Sequence, residues 1–146
     1  MPIREECINR NNQPIIVVSD PDGGAVQLRL LNRSNRLVCV IRIDNCQPLN
    51  GPRCDYLVYP CNRSAIFVEF KGANIEDGIS QIENTIQQLA NDVVGRTRYA
   101  IVIGSRCPMY SYEITKQQDR FRRRLDCTLR IKNRCYDCRV EEFCNS

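Results

Sequence analysis

The sequence predicts a mixed α/β (α+β) architecture, on three observations. Up to about residue 71, short segments with apolar and polar residues at period two alternate with turn-rich stretches, the pattern of antiparallel strands. One amphipathic stretch follows at 75–94. A continuous apolar run, Y-A-I-V-I at 99–103, comes next and reads as a strand buried on both faces. A helix between two strands predicts a crossover, usually right-handed, and hence a mixed sheet.

The elements can be justified in order. Residues 1–13 are polar, and 3–8 support at most a short helix. Segment 15–19 (I-I-V-V-S) is a strand, D-P-D-G-G at 20–24 a turn, and 25–31 its partner, which gives an N-terminal β-hairpin over 15–31. After N-R-S-N at 32–35, segment 37–43 sets Val38, Val40 and Arg42 against Cys39, Ile41 and Ile43. Asp44 stands at its end, and 45–53, with two prolines and a glycine, is a loop. Runs 56–59 and 65–70 flank P-C-N-R-S and form a second hairpin.

The main helix is expected over 75–94. Ile75, Ile79, Ile82, Ile86, Leu89 and Val93 make one apolar stripe. Asn74 suits the N-cap, Glu76 and Asp77 the first turn, and Gly95 the C-terminal stop. Beyond 99–103, segment 109–115 is expected as an edge strand, 117–125 as helix and 128–131 as extended chain. No repeat or linker divides the chain, which is read as one domain, 1–146. Its core is about 37–105, and 107–146 is a basic, cysteine-rich C-terminal segment.

Composition sets limits. With 146 residues, 42% hydrophobic and 26% charged, the chain is long enough for a real core. A net charge of +4 permits nucleic-acid binding without demanding it. There is no histidine, so acid–base or metal chemistry falls to carboxylates, lysine, cysteine or water. Ten cysteines are many for this length. The start M-P-I-R-E-E-C has no apolar signal-peptide core, and no run is long enough to span a membrane. The expectation is a cytoplasmic protein, free of membrane contact, with most thiols reduced and packed as small apolar groups. The alternative is a disulfide framework in an exported protein.

The second hairpin carries the functional signal. Glu69 and Lys71 share a face with Phe67, while Ile66, Val68 and Phe70 take the other. If the hairpin turns about Asn62 and Arg63, Asp55 lies across from Glu69 and Lys71. Two acids and a lysine at the end of an apolar hairpin are costly to bury unpaired, which points to metal binding or catalysis. The bland alternative is an exposed Glu69–Lys71 pair on a solvated face.

The succession of strands, helix and strand, with D…E-x-K on the hairpin, resembles the PD-(D/E)xK nuclease superfamily over roughly residues 37–105. It looks most like small bacterial, restriction-endonuclease-like or Holliday-junction-resolvase-like members that carry C-D-Y-L, then (F/I)-x-E-(L/F)-K-G and an early helical glutamine. The matching residues are Asp55, Glu69, Phe70, Lys71 and Gln81, and I-D-N-C at 43–46 resembles a recurring (V/I)-D-G-C segment, with Asn45 replacing glycine. The resemblance implies a restriction-endonuclease-like βββαβ core and a Mg²⁺- or Mn²⁺-dependent endodeoxyribonuclease, in genome defence or repair, with DNA as partner. It also implies a homodimer, as resolvase-like members often form. Asp55, Glu69 and the Phe70 backbone carbonyl would hold the metal. Lys71 would orient the attacking water, and Gln81 would hydrogen-bond a metal-bound water or a phosphate. Many members take a further acid from an N-terminal helix. Here only Glu5 and Glu6 correspond, with Asp44 as substitute. The alternative function is a catalytically silent module of this fold that binds nucleic acid or a protein.

Two further constellations lie in the C-terminal segment. Lys116, Arg120, Arg122, Arg123, Arg124 and Arg130, interleaved with aromatic residues, are candidates for a phosphate-backbone surface; a solvated helix face is the alternative. Cys127, Cys135, Cys138 and Cys144 include one C-x2-C half-site and could make a structural Zn²⁺ site, but the second half-site is irregular, so reduced packed cysteines are favoured.

Overall fold

The computed structural model describes residues 2–71, 74–105 and 111–144. In chain order a 3₁₀ turn (Glu5–Cys7) leads into β1 (Ile8–Asn11), β2 (Ile15–Ser19), β3 (Gln27–Leu31), β4 (Val38–Arg42), β5 (Tyr56–Tyr59) and β6 (Ser64–Lys71). Then come α1 (Ile75–Gln88), β7 (Thr97–Gly104), α2 (Ser111–Leu125), β8 (Cys127–Asn133), β9 (Cys135–Arg139) and α3 (Glu141–Cys144). The fold is mixed α+β.

Six strands make the central sheet in the order β1-β4-β5-β6-β7-β8. The pairs β1–β4, β4–β5 and β5–β6 are antiparallel, whereas β6–β7 and β7–β8 are parallel. Each parallel pair is joined through a helix, as parallel neighbours require. The strand–strand–strand–helix–strand succession expected between 37 and 105 is therefore present as β4-β5-β6-α1-β7. A smaller sheet, β2-β3-β9, contains the N-terminal hairpin.

The two faces of the central sheet explain the layers. On one face Phe67, Ala100 and Val102 pack with Ile79, Ile82 and Ile86 of α1 and Phe121 and Leu125 of α2. On the other, Ile66, Val68, Ile101 and Ile103 pack with Ile16, Val18, Leu28 and Leu30 of the smaller sheet. Seven of the eight β6 residues are buried, because β6 has a strand on each side and a layer on each face. The exposed–buried alternation of β2 follows from having only one covered face.

Several boundaries differ from the sequence reading. The apolar stripe is buried as expected through Leu89 and Val93, but the helix stops at Gln88. Asn91 and Asp92 follow in a turn, where the Asp92 N–H donates to the Leu89 carbonyl at 2.9 Å. Such residues compete for backbone hydrogen bonds and favour turns over helix. Residues 111–115, expected in an edge strand, open α2 instead; Met109 and Tyr110 of that expectation lie outside the described residues. The polar β1 and the cysteine-rich β9 were not anticipated, and each pairs with a neighbour distant in sequence. The C-terminal segment is no appendage. Strand β8 completes the central sheet, and β9 completes the smaller one.

Seven cysteines among the described residues are free, in line with the expectation for most of them. Cys7 and Cys46 are the exception and form a disulfide, with Cα atoms 5.8 Å apart. The β1–β4 pairing brings the 3₁₀ turn beside the 43–47 turn, which sets the two thiols together. Among the described residues, no helix is long and apolar enough to cross a membrane.

Candidate active site

Asp55, Glu69 and Lys71 meet at one end of the central sheet. The β5–β6 register sets Tyr56 opposite Val68, so Asp55 stands opposite Glu69, one residue from the position that a turn about Asn62 and Arg63 would give it. The Asp55 N–H donates to the Val68 carbonyl at 3.1 Å, and the Phe70 N–H donates to Asp55 Oδ2 at 2.9 Å. That second bond fixes the Asp55 carboxylate against β6. The position of the Lys71 ammonium, with Nζ 4.0 Å from Glu69 Oε2, places all three groups within one site.

Helix α1 holds the strand that carries Asp55. Thr85 Oγ1 accepts from the Cys54 N–H at 2.8 Å and donates to the Gln81 carbonyl at 2.8 Å. Gln81 Nε2 donates to the Arg53 carbonyl at 3.2 Å, and Gln88 exchanges hydrogen bonds with the backbone of Asn50. The 45–53 loop is thus tied along the helix, and Asp55 follows from its end. Helix and sheet approach closely at Gly78, where an added Cβ would lie 3.0 Å from Lys71 Cγ and 3.1 Å from Val102 Cγ1.

Burial dominates the electrostatics. Glu69 is 2% exposed and Asp55 8%. Burial, and after it the Asp55 charge, push the Glu69 carboxyl up to about 9, with Lys71 only partly opposing them. Burial also raises Asp55, to about 6, against the opposing hydrogen bonds from the Phe70 N–H and from Glu69. Near neutral pH the two carboxyls therefore share a proton, with Glu69 its main holder. Two acceptors, Glu69 Oε1 and Gln81 Oε1, are buried with no hydrogen-bond partner among the described residues. Buried oxygens without donors, beside two acids, suit a hard cation and its waters.

The remaining candidates divide. Asp44 lies beside the site, and its backbone N–H reaches the Asp55 carbonyl, but its Oδ1 is 3.2 Å from Arg53 Nε. Glu5 and Glu6 pair with Arg10 and Arg4. The described residues thus contain no cluster of three or more acidic or cysteine side chains placed to hold a metal. The proposed zinc quartet does not assemble. Cys127 belongs to the helix-side core, Cys138 and Cys144 belong to the opposite one, and Cys135 is exposed. The reason is that β8 and β9 enter different sheets.

The basic candidates do not form one surface near the acids. Arg120 makes a two-pronged ion pair with Glu83, at 2.8 and 2.9 Å, that links α2 to α1. Arg130 contacts the Tyr136 hydroxyl at 3.0 Å and Glu142 at 3.2 Å, and stacks 4.8 Å from the Phe143 ring centre. Lys116, Arg122, Arg123 and Arg124 are exposed. Arg122–Arg124 close α2, whose end is marked by the Leu125 carbonyl accepting from Arg98 Nη1 at 2.9 Å. Lys71 instead aligns with Gly104, six residues along β7 from Arg98, or about 20 Å at strand rise. The arginine cluster is at the far end of the sheet.

Sequence reasoning missed Arg53 and Gly78. Arg53 constrains Asp44, and Gly78 admits Lys71 and Glu69 under the helix. Gly78 had a signal in the sequence, as a glycine on the side of α1 that carries Ile75, Ile79 and Ile82. Comparison with known proteins adds no family: no family model matches the chain, and neither does any curated protein or solved structure.

Proposed function

We propose that the chain is a metal-dependent endonuclease that hydrolyses DNA phosphodiester bonds, a restriction-endonuclease-like member of the PD-(D/E)xK superfamily. The observation that carries this reading is the burial of Asp55 and Glu69 side by side, with Lys71 at 4.0 Å and two acceptor oxygens that have no partner among the described residues. Two acids forced together out of water destabilise a fold, and such an arrangement is characteristic of sites with chemical work.

Asp55, Glu69 and the Phe70 carbonyl would hold Mg²⁺ or Mn²⁺. When bound, the cation supplies charge neutralisation at the phosphate and hydroxide near neutral pH. The chain's own groups do the rest. Asp55 is oriented by the Phe70 N–H and presents its carboxylate in a fixed direction. To hold the cation Glu69 would have to be ionised, so binding would release its proton. Lys71 orients the attacking water and offsets negative charge that develops on the phosphate oxygens. Gln81, anchored through Nε2 on the Arg53 carbonyl, leaves Oε1 to accept from a water.

A second reading rests on Asp44. Its pairing with Arg53 leaves the site with two acids, which favours a catalytically silent module of the same fold that binds nucleic acid or a protein. One experiment separates the two. Linear, supercoiled, branched and single-stranded DNA, and RNA, are incubated with Mg²⁺ or Mn²⁺ and the parent, Glu69→Ala or Lys71→Ala protein. Metal-dependent cutting by the parent, lost in both variants, supports the nuclease. No cutting on any substrate, with all three proteins folded, supports the silent module.

A further inference from the structure

Beside Lys71 the two sheets leave a cleft of about 420 Å³, lined among others by Asp20, Gly23, Gly24, Lys71, Ser105 and Arg134. It opens where β6 and β7 end, since Lys71 aligns with Gly104, and Gly104 in turn with Asn133. Ligands of parallel strands collect at such carboxyl ends. The D-P-D-G-G turn contributes Gly23 and Gly24, which have φ of +93° and +96° and where an added Cβ on either would meet no atom within 4 Å. Arg134, between β8 and β9, also lines the cleft.

Arg134 is held by its backbone, not its side chain. Its N–H donates to the Gly104 carbonyl at 2.8 Å, and its carbonyl accepts from the Gln27 N–H at 3.3 Å, one bond to each sheet. Its φ is +52°, a conformation that costs a non-glycine residue about 1 kcal/mol. The guanidinium is exposed and, among the described residues, has no acidic partner. The acid of the cleft, Asp20, accepts the Asp22 N–H on Oδ1 at 3.0 Å within its own turn.

We propose that Arg134, on the β8–β9 turn, binds a phosphate of the DNA backbone in this cleft and seats the strand against Lys71. The inference rests on the nuclease reading and adds to it a cation that has no acidic partner among the described residues, at the end of the sheet that carries Asp55, Glu69 and Lys71. A guanidinium suits the role because it offers several donors in one plane to phosphate oxygens. The step is binding only, and no bond is made or broken.

The test uses Arg134→Gly, because glycine accepts the positive φ and removes only the guanidinium. Arg134→Lys keeps the charge, and Arg124→Ala serves as a control at the far end of the sheet. Binding of fluorescein-labelled duplex DNA is titrated in EDTA across a series of salt concentrations, and Mg²⁺-dependent cleavage is measured in parallel. Arg134→Gly is expected to weaken binding and to lower the salt slope by about 1, whereas Arg134→Lys holds the parent slope and Arg124→Ala changes cleavage little. A parent that cuts DNA while Arg134→Gly keeps the parent's slope and cleavage rate overturns this inference alone. A parent that neither binds nor cuts DNA overturns the nuclease reading and this inference with it.

Discussion

Gly78 and Lys71 are in contact across the interface of α1 and β6: a Cβ at 78 would lie 3.0 Å from Lys71 Cγ, with Glu69 Cγ also at 3.4 Å. An exposed helical Gly→Ala change gains up to about 1 kcal/mol. At Gly78 the added methyl also meets Val102 Cγ1 at 3.1 Å, a branched side chain in a packed layer. Overpacking of that kind costs about 1–3 kcal/mol. Gly78→Ala is therefore expected to lower stability by about 1 kcal/mol in urea titration and to displace Lys71, with loss of any metal-dependent cutting. A raised Tm with unchanged cutting would contradict the packing argument.

The carboxyl pair predicts an unusual pH dependence of stability. Asp55 and Glu69 are raised to about 6 and about 9, above their ordinary values of 3.8 and 4.5. The folded state thus keeps protons that the unfolded chain has lost, and stability falls as pH rises from about 4 towards 9. In EDTA the parent is expected to be more stable at pH 5 than at pH 8. Glu69→Gln, which cannot ionise, should flatten this dependence and gain on the order of 2 kcal/mol at pH 8, while abolishing cutting. Denaturant titrations at both pH values check it; a parent that is more stable at pH 8 would defeat the prediction.

Arg120 and Arg130 are predicted to act in the fold. Removing the Glu83 partner by Arg120→Ala should cost about 1 kcal/mol, since both side chains are only partly exposed. Arg130→Ala should cost more, about 2 kcal/mol, because the guanidinium also covers the Phe143 ring and holds the Tyr136 hydroxyl. Thermal melts of the two variants, beside exposed Arg123→Ala as a reference, read this directly. Equal melts for all three would show that the ion pairs add nothing.

The disulfide between Cys7 and Cys46 closes a span of 39 residues. Loop-closure entropy assigns such a bridge about 4 kcal/mol. Dithiothreitol should therefore lower the Tm of the parent and leave Cys7→Ala/Cys46→Ala, already lower, unmoved. A melt insensitive to reductant in both proteins would show that the pair does not stabilise the fold.

How far the sequence could be read is seen in particular residues. The hairpin 56–70 was legible as two strands with assigned faces, because period-two alternation fixes which side chains share a face, but its register was not: a turn about Asn62 and Arg63 pairs Asp55 with Phe70, one residue away from the observed pairing. The stripe from Ile75 to Val93 was legible for the same reason at period 3.6, although its helical end was not. Strand β1, with the sequence I-N-R-N, carries almost no pattern, since an edge strand at the rim of a sheet needs little apolar side chain. Strand β9 is visible only as the parallel partner of β3, over 100 residues away in sequence. The opening of α2 at 111–115 was expected as strand and is helix.

The sequence by itself determined the strand–strand–strand–helix–strand succession, the inward stripe of α1 and the shared face of Glu69 and Lys71. Local periodicity and turn chemistry suffice for those, because they depend on neighbours a few residues apart. Only the tertiary structure decided that Asp44 faces Arg53, that Cys127 parts from Cys138 and Cys144 into different layers, and that Arg122–Arg124 sit at the far end of the sheet from Lys71 while Arg134 lines its cleft. These relations follow from sheet order and parallel pairing, which bring together residues distant in the chain, and no local pattern records which partner a strand will take.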